Sequence, residues 1–396
     1  MDFIHSIPWF LIFASLAKTI FIIFLVVLPM VSYTVYAERR VSALIQDRVG
    51  PNRTGFPLTL LGFKKDFSPF LGGLGQPVAD AVKFLLKEDF TPGHVNKPYF
   101  WLAPALAMMP ALITLAAIPF GSVLDLDFLL IPLGHLFGAE WGHGPVKMII
   151  SDMNVGLLFM FAISSVSVYG IVLAGWSSNS KYPFLGGIRS TSQMISYELC
   201  MGLSAVPVLL VASSSGLSSI VNYQVAHGWL LLPFTDGSLT LREILLWIPI
   251  AIAFVTFTIS MFAETNRLPF DLPESETELV AGYHTEYSSM KFALFFLGEY
   301  TAMIAGSALI VVLFFGGWHL PFIPDGSRGG FWGAIFGFVN ITAFFAKVAM
   351  LLVVFIWVRW TLPRFRYDQL MKLGWLYLFE IALANIFLTA GILAFT

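Results

Sequence analysis

Apolar residues run along this chain in long blocks separated by short polar stretches. A bilayer core about 30 Å thick is crossed by roughly 20 helical residues. Eight blocks meet that length: 11–36, 100–120, 154–175, 194–214, 244–263, 291–315, 334–358 and 373–395. The pattern predicts an all-α integral membrane protein with about eight transmembrane helices, forming a single polytopic membrane domain over 1–396. Pro29, Pro110, Pro207 and Pro249 fall inside the blocks. Transmembrane helices tolerate proline because neighbours and water satisfy the freed backbone groups, so these positions read as kinks. The first block has no Lys or Arg before Lys18 and outruns the apolar core of a cleaved signal, so it reads as a first span.

The stretches between the blocks differ in charge. One alternating set (37–99, 176–193, 264–291 and 359–372) holds 17 of the 22 Lys and Arg residues, and the opposite set holds only Lys147, Arg242 and Arg328. Basic loops stay on the cytoplasmic side. The charge pattern therefore predicts an even number of spans with both termini outside, which in a bacterial cell would be a multi-pass inner-membrane protein with both termini periplasmic. Lys18 lies close enough to a helix end to snorkel, whereas Lys347 sits deep in a block with no evident partner. Within 37–99, Gln76, Asp80, Lys83 and Lys87 recur at helical spacing and Val78, Ala81, Val82, Leu85 and Leu86 fill the other faces. That pattern predicts a cytoplasmic-side amphipathic helix lying on the membrane surface or packed on the spans.

Composition agrees and narrows the chemistry. The chain is 57% hydrophobic and 12% charged, with mean hydropathy +0.81, against about 25% charged residues in a soluble domain. A net charge of −2 offers no polyanion a partner surface, so nucleic acid is not an expected ligand. One cysteine, Cys200, cannot hold an iron–sulfur cluster, which takes about four. The seven histidines show no metal-ligand spacing. Any redox chemistry must then come from other subunits or a diffusible molecule. The Gly72–Gly75 run lacks the setting of a nucleotide loop, and no inverted repeat of the transporter kind is visible.

The acidic residues carry more information. Glu264, Asp271, Glu274, Glu276, Glu278 and Glu286 fall within 23 residues whose only internal base is Arg267. Carboxylates this close titrate in coupled steps and suit proton uptake or release, although the same composition also describes a solvated acidic loop. Glu198, Glu299 and Glu380 lie inside apolar blocks. An ionisable group at such depth is disfavoured by about 2.5–3.5 kcal/mol or more, so each needs a partner, a cavity or a proton path. A structural pairing with Lys347 is one way to satisfy such a carboxylate.

Five stretches together resemble the H-subunit family of bacterial NADH:quinone oxidoreductase (respiratory complex I), counterpart of mitochondrial NADH dehydrogenase subunit 1. They are Ala37–Arg40 with Gln46–Asn52; Gln76–Lys83; Gly175–Tyr182 with Ile195–Glu198; Ala263–Leu272 with Glu286–Tyr287; and Pro363–Met371. They occur in order over nearly the whole chain, at the basic loops or their edges. The family's Glu-Gly-Glu-Ser-Glu-Leu stands here as Glu274-Ser-Glu-Thr-Glu-Leu279, which keeps the carboxylates and loses the glycine, and its Phe-Asn stands as Tyr283-His284.

The resemblance implies a membrane component of proton-translocating NADH:quinone oxidoreductase that is inactive alone. It would form the wall of a quinone chamber reached from the bilayer beside the first helix, the surface helix and the sixth helix. By position, Arg48, Asp80, Lys83, Arg267, Asp271 and Arg359 would line or brace that chamber. Glu198, Glu264, Glu274, Glu276, Glu278 and Glu286 would form the acidic proton path. The substrate would be ubiquinone or menaquinone, with FMN and iron–sulfur clusters in partner subunits and no cofactor on this chain. Partners would be the peripheral quinone-site subunits and neighbouring membrane subunits. A homologous membrane subunit of a hydrogenase or formate hydrogenlyase is the alternative, and a stand-alone carrier a more distant one.

Overall fold

The computed structural model describes residues 9–52, 54, 73–124, 146–232, 241–272, 280–321, 323–324 and 330–395. Among the described residues, eight helices are long and apolar enough to cross a membrane. In chain order, α1 comprises Trp9–Phe21, a π-turn at Ile22–Val27 and Leu28–Ile45. The short α2 spans Gln76–Leu86, α3 Lys97–Thr114, α4 Gly156–Ser177 and α5 Lys181–Ala212. Then come the short α6 at Leu217–His227, α7 at Leu241–Glu264, α8 at Ser289–Phe314 and α9 at Gly330–Thr361. Finally α10 joins Tyr367–Lys372, a π-turn at Leu373–Leu378 and Phe379–Phe395. Spans α1, α3, α4, α5, α7, α8, α9 and α10 form the all-α membrane body. A two-residue antiparallel pair, Val123–Leu124 with Val146–Lys147, lies between α3 and α4.

The spans are arranged around α8. Every residue from Met303 to Phe314 is buried, as expected of a helix apolar on all sides and enclosed by others. At the periphery, Leu16, Ile20 and Phe24 of α1 and Met350, Val353 and Trp357 of α9 point outward, a belt suited to acyl chains. Small residues let the inner helices meet. A Cβ on Gly170 of α4 would fall 2.5 Å from the Ala107 nitrogen of α3, and one on Gly298 of α8 would fall 3.1 Å from the Ala107 carbonyl oxygen. Close approach at small residues is how helices associate where lipid removes the hydrophobic drive.

Three expectations change at this level. The stretch 176–193, read as a loop, is helical from Lys181, because Pro183, Gly186, Gly187 and Ser190 give its first turns a buried face. The stretch 215–243, which falls between two apolar blocks, also holds a helix, α6. Among the described residues, Lys347 pairs with no carboxylate. Its ammonium donates to the carbonyls of Phe315 (2.8 Å), Gly317 (2.9 Å) and His319 (2.6 Å) and lies 4.1 Å from the Trp229 ring centroid. It therefore caps the C-terminal end of α8, where orphan carbonyls and the helix dipole favour a cation. Lys18 reaches the Ile149 carbonyl at 3.3 Å.

Candidate functional site

A cavity of about 590 Å³ opens between α1, α2 and α8. Val31 and Val35 of α1, Ala81 and Leu85 of α2, and Phe296 and Leu297 of α8 make it largely apolar. Its charged and phenolic lining comes from Glu38 and Arg39 on α1, Asp80 on α2, Tyr300 on α8 and Arg359 at the end of α9, with Ser32 and Ser42 of α1 beside them. The short α2 is held over it at both ends. Gly75 N–H donates to the Thr54 carbonyl at one end, and the Ser289 hydroxyl contacts the Phe84 and Lys87 carbonyls, each at 2.9 Å, at the other.

Glu38 and Tyr300 are buried and sit in a charge cluster assembled from four elements. The Arg267 guanidinium lies 3.3 Å from both Glu38 oxygens, 2.7 Å from Glu299 Oε1 and 4.1 Å from the Tyr300 ring centroid. Arg359 also donates to Glu38, and the Tyr300 hydroxyl donates to it at 2.5 Å. Burial works against the charge of Arg267, yet Glu299, Tyr300 and Glu38 outweigh it and hold the guanidinium charged well past its ordinary range. The turn that presents Arg267 is fixed from α5: the buried Gln193 amide donates to the Ala263 carbonyl (2.8 Å), the Phe270 carbonyl (2.9 Å) and Asn266 Oδ1 (3.1 Å).

A smaller cavity of about 100 Å³ lies on the other side of α8, among α3, α4, α5 and α7. Glu299, Glu264, Ser164, Ser167 and Asn266 line it. Consecutive residues of α8 thus face different spaces, Tyr300 the larger cavity and Glu299 the smaller, and Arg267 contacts both side chains. Glu264 is buried and its Oε2 has no hydrogen-bond partner among the described residues. Glu198, half-buried on α5, is within electrostatic reach of it.

The structure thus brings together part of the set expected from sequence. Asp80, Arg267 and Arg359 belong to the cavity or its inner cluster. Asp271 lies beside it, with Oδ2 3.2 Å from Arg364, and burial lifts its carboxyl above the usual range despite Arg364 and Arg359. Arg48 and Lys83 stand apart: both are exposed, and Arg48 donates to Gln46 at 2.8 Å. Glu286 is half-buried in the connection before α8. Glu274, Glu276 and Glu278 fall outside the described residues. Glu380 is exposed on the outer face of α10. Sequence reasoning missed Glu38, Arg39 and Tyr300 as site residues. Glu38 and Arg39 stood in a recognised motif, but only as the polar end of a helix.

Comparison with known proteins gives a consistent picture. The family described as NADH dehydrogenase matches residues 18–390. The chain is 47% identical over 380 residues to H subunit 1 of the NADH-quinone oxidoreductase of Geobacter metallireducens, covering 96% of each chain. It is 46% identical over 387 residues to H subunit 2 of the same enzyme from Koribacter versatilis, covering 97% of this chain and 98% of that one. With the H subunit from Leptospira biflexa it shares 45% identity over 373 residues, 93% of this chain and 91% of that one.

Proposed function

The chain belongs to the H-subunit family of NADH-quinone oxidoreductases, and from that membership we propose that it forms the membrane-side wall of the quinone site and links it to proton movement. The observation that carries this reading is the cavity between α1, α2 and α8 whose inner end is the buried Glu38–Arg267–Glu299 cluster. The apolar walls suit an isoprenoid tail, and the charged inner end suits a headgroup whose reduction consumes protons. The electrons come from iron–sulfur clusters in partner subunits, which receive them from NADH through FMN. This chain contributes no redox centre to that route.

Reduction of a quinone takes up two electrons and two protons, so the charge at the inner end changes during turnover. Arg267 is shared between Glu38, facing the larger cavity, and Glu299, facing the smaller. A shift of the guanidinium toward one carboxylate loosens its hold on the other, and the released carboxylate then binds a proton more readily. Glu299, Glu264 and Glu198 supply successive carboxylates on the smaller-cavity side. Glu286 and the Glu274–Glu278 carboxylates extend the path in the connection between α7 and α8. In this reading the basic loops and α2 face the cytoplasm, where the peripheral partners dock on 37–99, 176–193 and 264–291. Both termini face the periplasm.

The test fills the cavity. Ala293 lines it from α8, and Ala293→Trp in the assembled complex is expected to abolish reduction of long-tailed quinone while NADH oxidation by a soluble acceptor continues. Undiminished quinone reduction in an assembled Ala293→Trp complex would sink the proposal.

A further inference from the structure

The larger cavity is bridged by one exposed ion pair. Arg39 Nη1 on α1 lies 2.8 Å from Asp80 Oδ2 on α2, with side chains 51% and 23% exposed. The other Asp80 oxygen accepts from Gln76 Nε2 at 2.9 Å, and Gln76 in turn accepts from Thr54. Both Arg39 and Asp80 line the cavity. The backbone on either side of the bridge is tied down. Beyond the Ser289 contacts, Gly73 is so close to Pro51 that a Cβ there would meet the Pro51 carbonyl oxygen at 2.4 Å, and Arg40 reaches the same carbonyl. Between these ties no residue of α2 is buried.

We propose that Arg39 and Asp80 form a side-chain gate at the cavity mouth, which must part for a quinone headgroup to pass and which therefore controls admission of the substrate. The inference rests on the quinone reading given above. Its physical basis is a contrast in strength. The inner cluster is buried, multiply bonded and held in place, whereas the Arg39–Asp80 pair is solvent-exposed and screened by salt, so it separates readily. With α2 tied at both ends, the gap opens by rotation of the long Arg39 side chain rather than by a helix leaving its seat. Asp80, oriented by Gln76, is the fixed post and Arg39 the moving bar. The gate residues are thus specificity-determining: they set how fast a headgroup enters, and they touch neither the electron donor nor the proton path.

The test uses the intact complex with Arg39→Cys and Asp80→Cys, joined by reversible methanethiosulfonate cross-linkers of graded length. A short linker holds the gap at its closed width and a long one does not. The short linker should lower kcat/KM for a long-tailed quinone by about tenfold or more relative to the unlinked double variant. Reductant should restore it, the long linker should have little effect, and oxidation of NADH by a soluble acceptor should not change. Equal rates with the short linker, the long linker and none would overturn the gate. Ala293→Trp separates the two ideas: loss of quinone reduction there, with no effect of the short linker, rejects the gate and keeps the cavity, whereas no effect in either rejects both. A second measurement needs no cysteines. In the wild type, kcat/KM for the quinone should rise with ionic strength by about twofold as the pair is screened, and Asp80→Asn should remove that rise. An identical salt response in the two proteins would overturn the proposal as well.

Discussion

Arg267→Gln is the substitution whose consequence the geometry fixes most tightly. The guanidinium is buried, 4% exposed, and holds Glu299 at 2.7 Å and Glu38 at 3.3 Å. Removing one partner of a buried ion pair costs about 3–5 kcal/mol, because the other charge stays out of water. Here Glu38 keeps Arg359 and Tyr300, so the lower end, about 3 kcal/mol, applies. Loss of the cation–π contact with Tyr300 pushes in the same direction. Cys200 is the only cysteine and is 1% exposed, on the helix whose Gln193 secures the Arg267 turn. Its alkylation, read by mass spectrometry on this subunit in the assembled complex, therefore reports opening of the α5–α7–α8 body. At about 1.4 kcal/mol per tenfold, the rate should rise roughly 100-fold in Arg267→Gln. Removing both charges, as in Arg267→Gln/Glu299→Gln, should bring the rate back most of the way, since replacing both partners is nearly neutral compared with orphaning one. A change below threefold in the single variant, or a double variant no better than the single, would refute the reasoning.

Lys347→Met should leave the Phe315, Gly317 and His319 carbonyls without their donor, at about 1–3 kcal/mol for a buried acceptor, and show faster proteolysis at the end of α8 with quinone reduction intact per assembled complex. Gly170→Leu should block assembly outright, because even a Cβ would sit 2.5 Å from the Ala107 backbone; native-gel quantification of the complex checks it. Asp271 carries a carboxyl lifted above its usual 3.8 by burial. Its contribution to stability is therefore complete below the ordinary pKa and fades as pH rises through the raised one, so the thermal stability of Asp271→Asn relative to wild type should improve with rising pH across that window. A cysteine at Ser180, introduced with Cys200 replaced, should react only with reagents that reach the cytoplasm; labelling from the periplasm of intact cells would reverse the orientation.

The spans were legible because a helix must be apolar for some twenty residues to cross a bilayer, and that requirement is written locally. Helix ends were less so. Lys181–Gln193 reads as a polar loop because its buried face is made of glycine, serine and proline, whose value lies in close approach to other helices rather than in hydrophobicity. The site divides the same way. Arg267 and Asp80 stood in recognisable motifs and Arg359 in a basic stretch, but the buried acid that joins the two arginines is far off in sequence: Glu38 is 229 residues from Arg267 and 321 from Arg359. No periodicity records such a distance. Arg48 and Lys83 had the right charge and the right neighbourhood, yet both are exposed and neither lines the cavity. Lys347 shows the converse, a half-buried charge within a span satisfied by backbone carbonyls, which no side-chain pattern in the sequence records.

The central claim, that quinone occupies the space between α1, α2 and α8, is open to direct test by photolabelling. A quinone analogue bearing a photoreactive group on its tail, activated in native membranes during turnover, should attach to this subunit within 31–42, 77–85 and 290–300, and excess natural quinone should suppress the labelling. Labelling confined to the outward faces of α9 and α10, unaffected by competing quinone, would contradict the account.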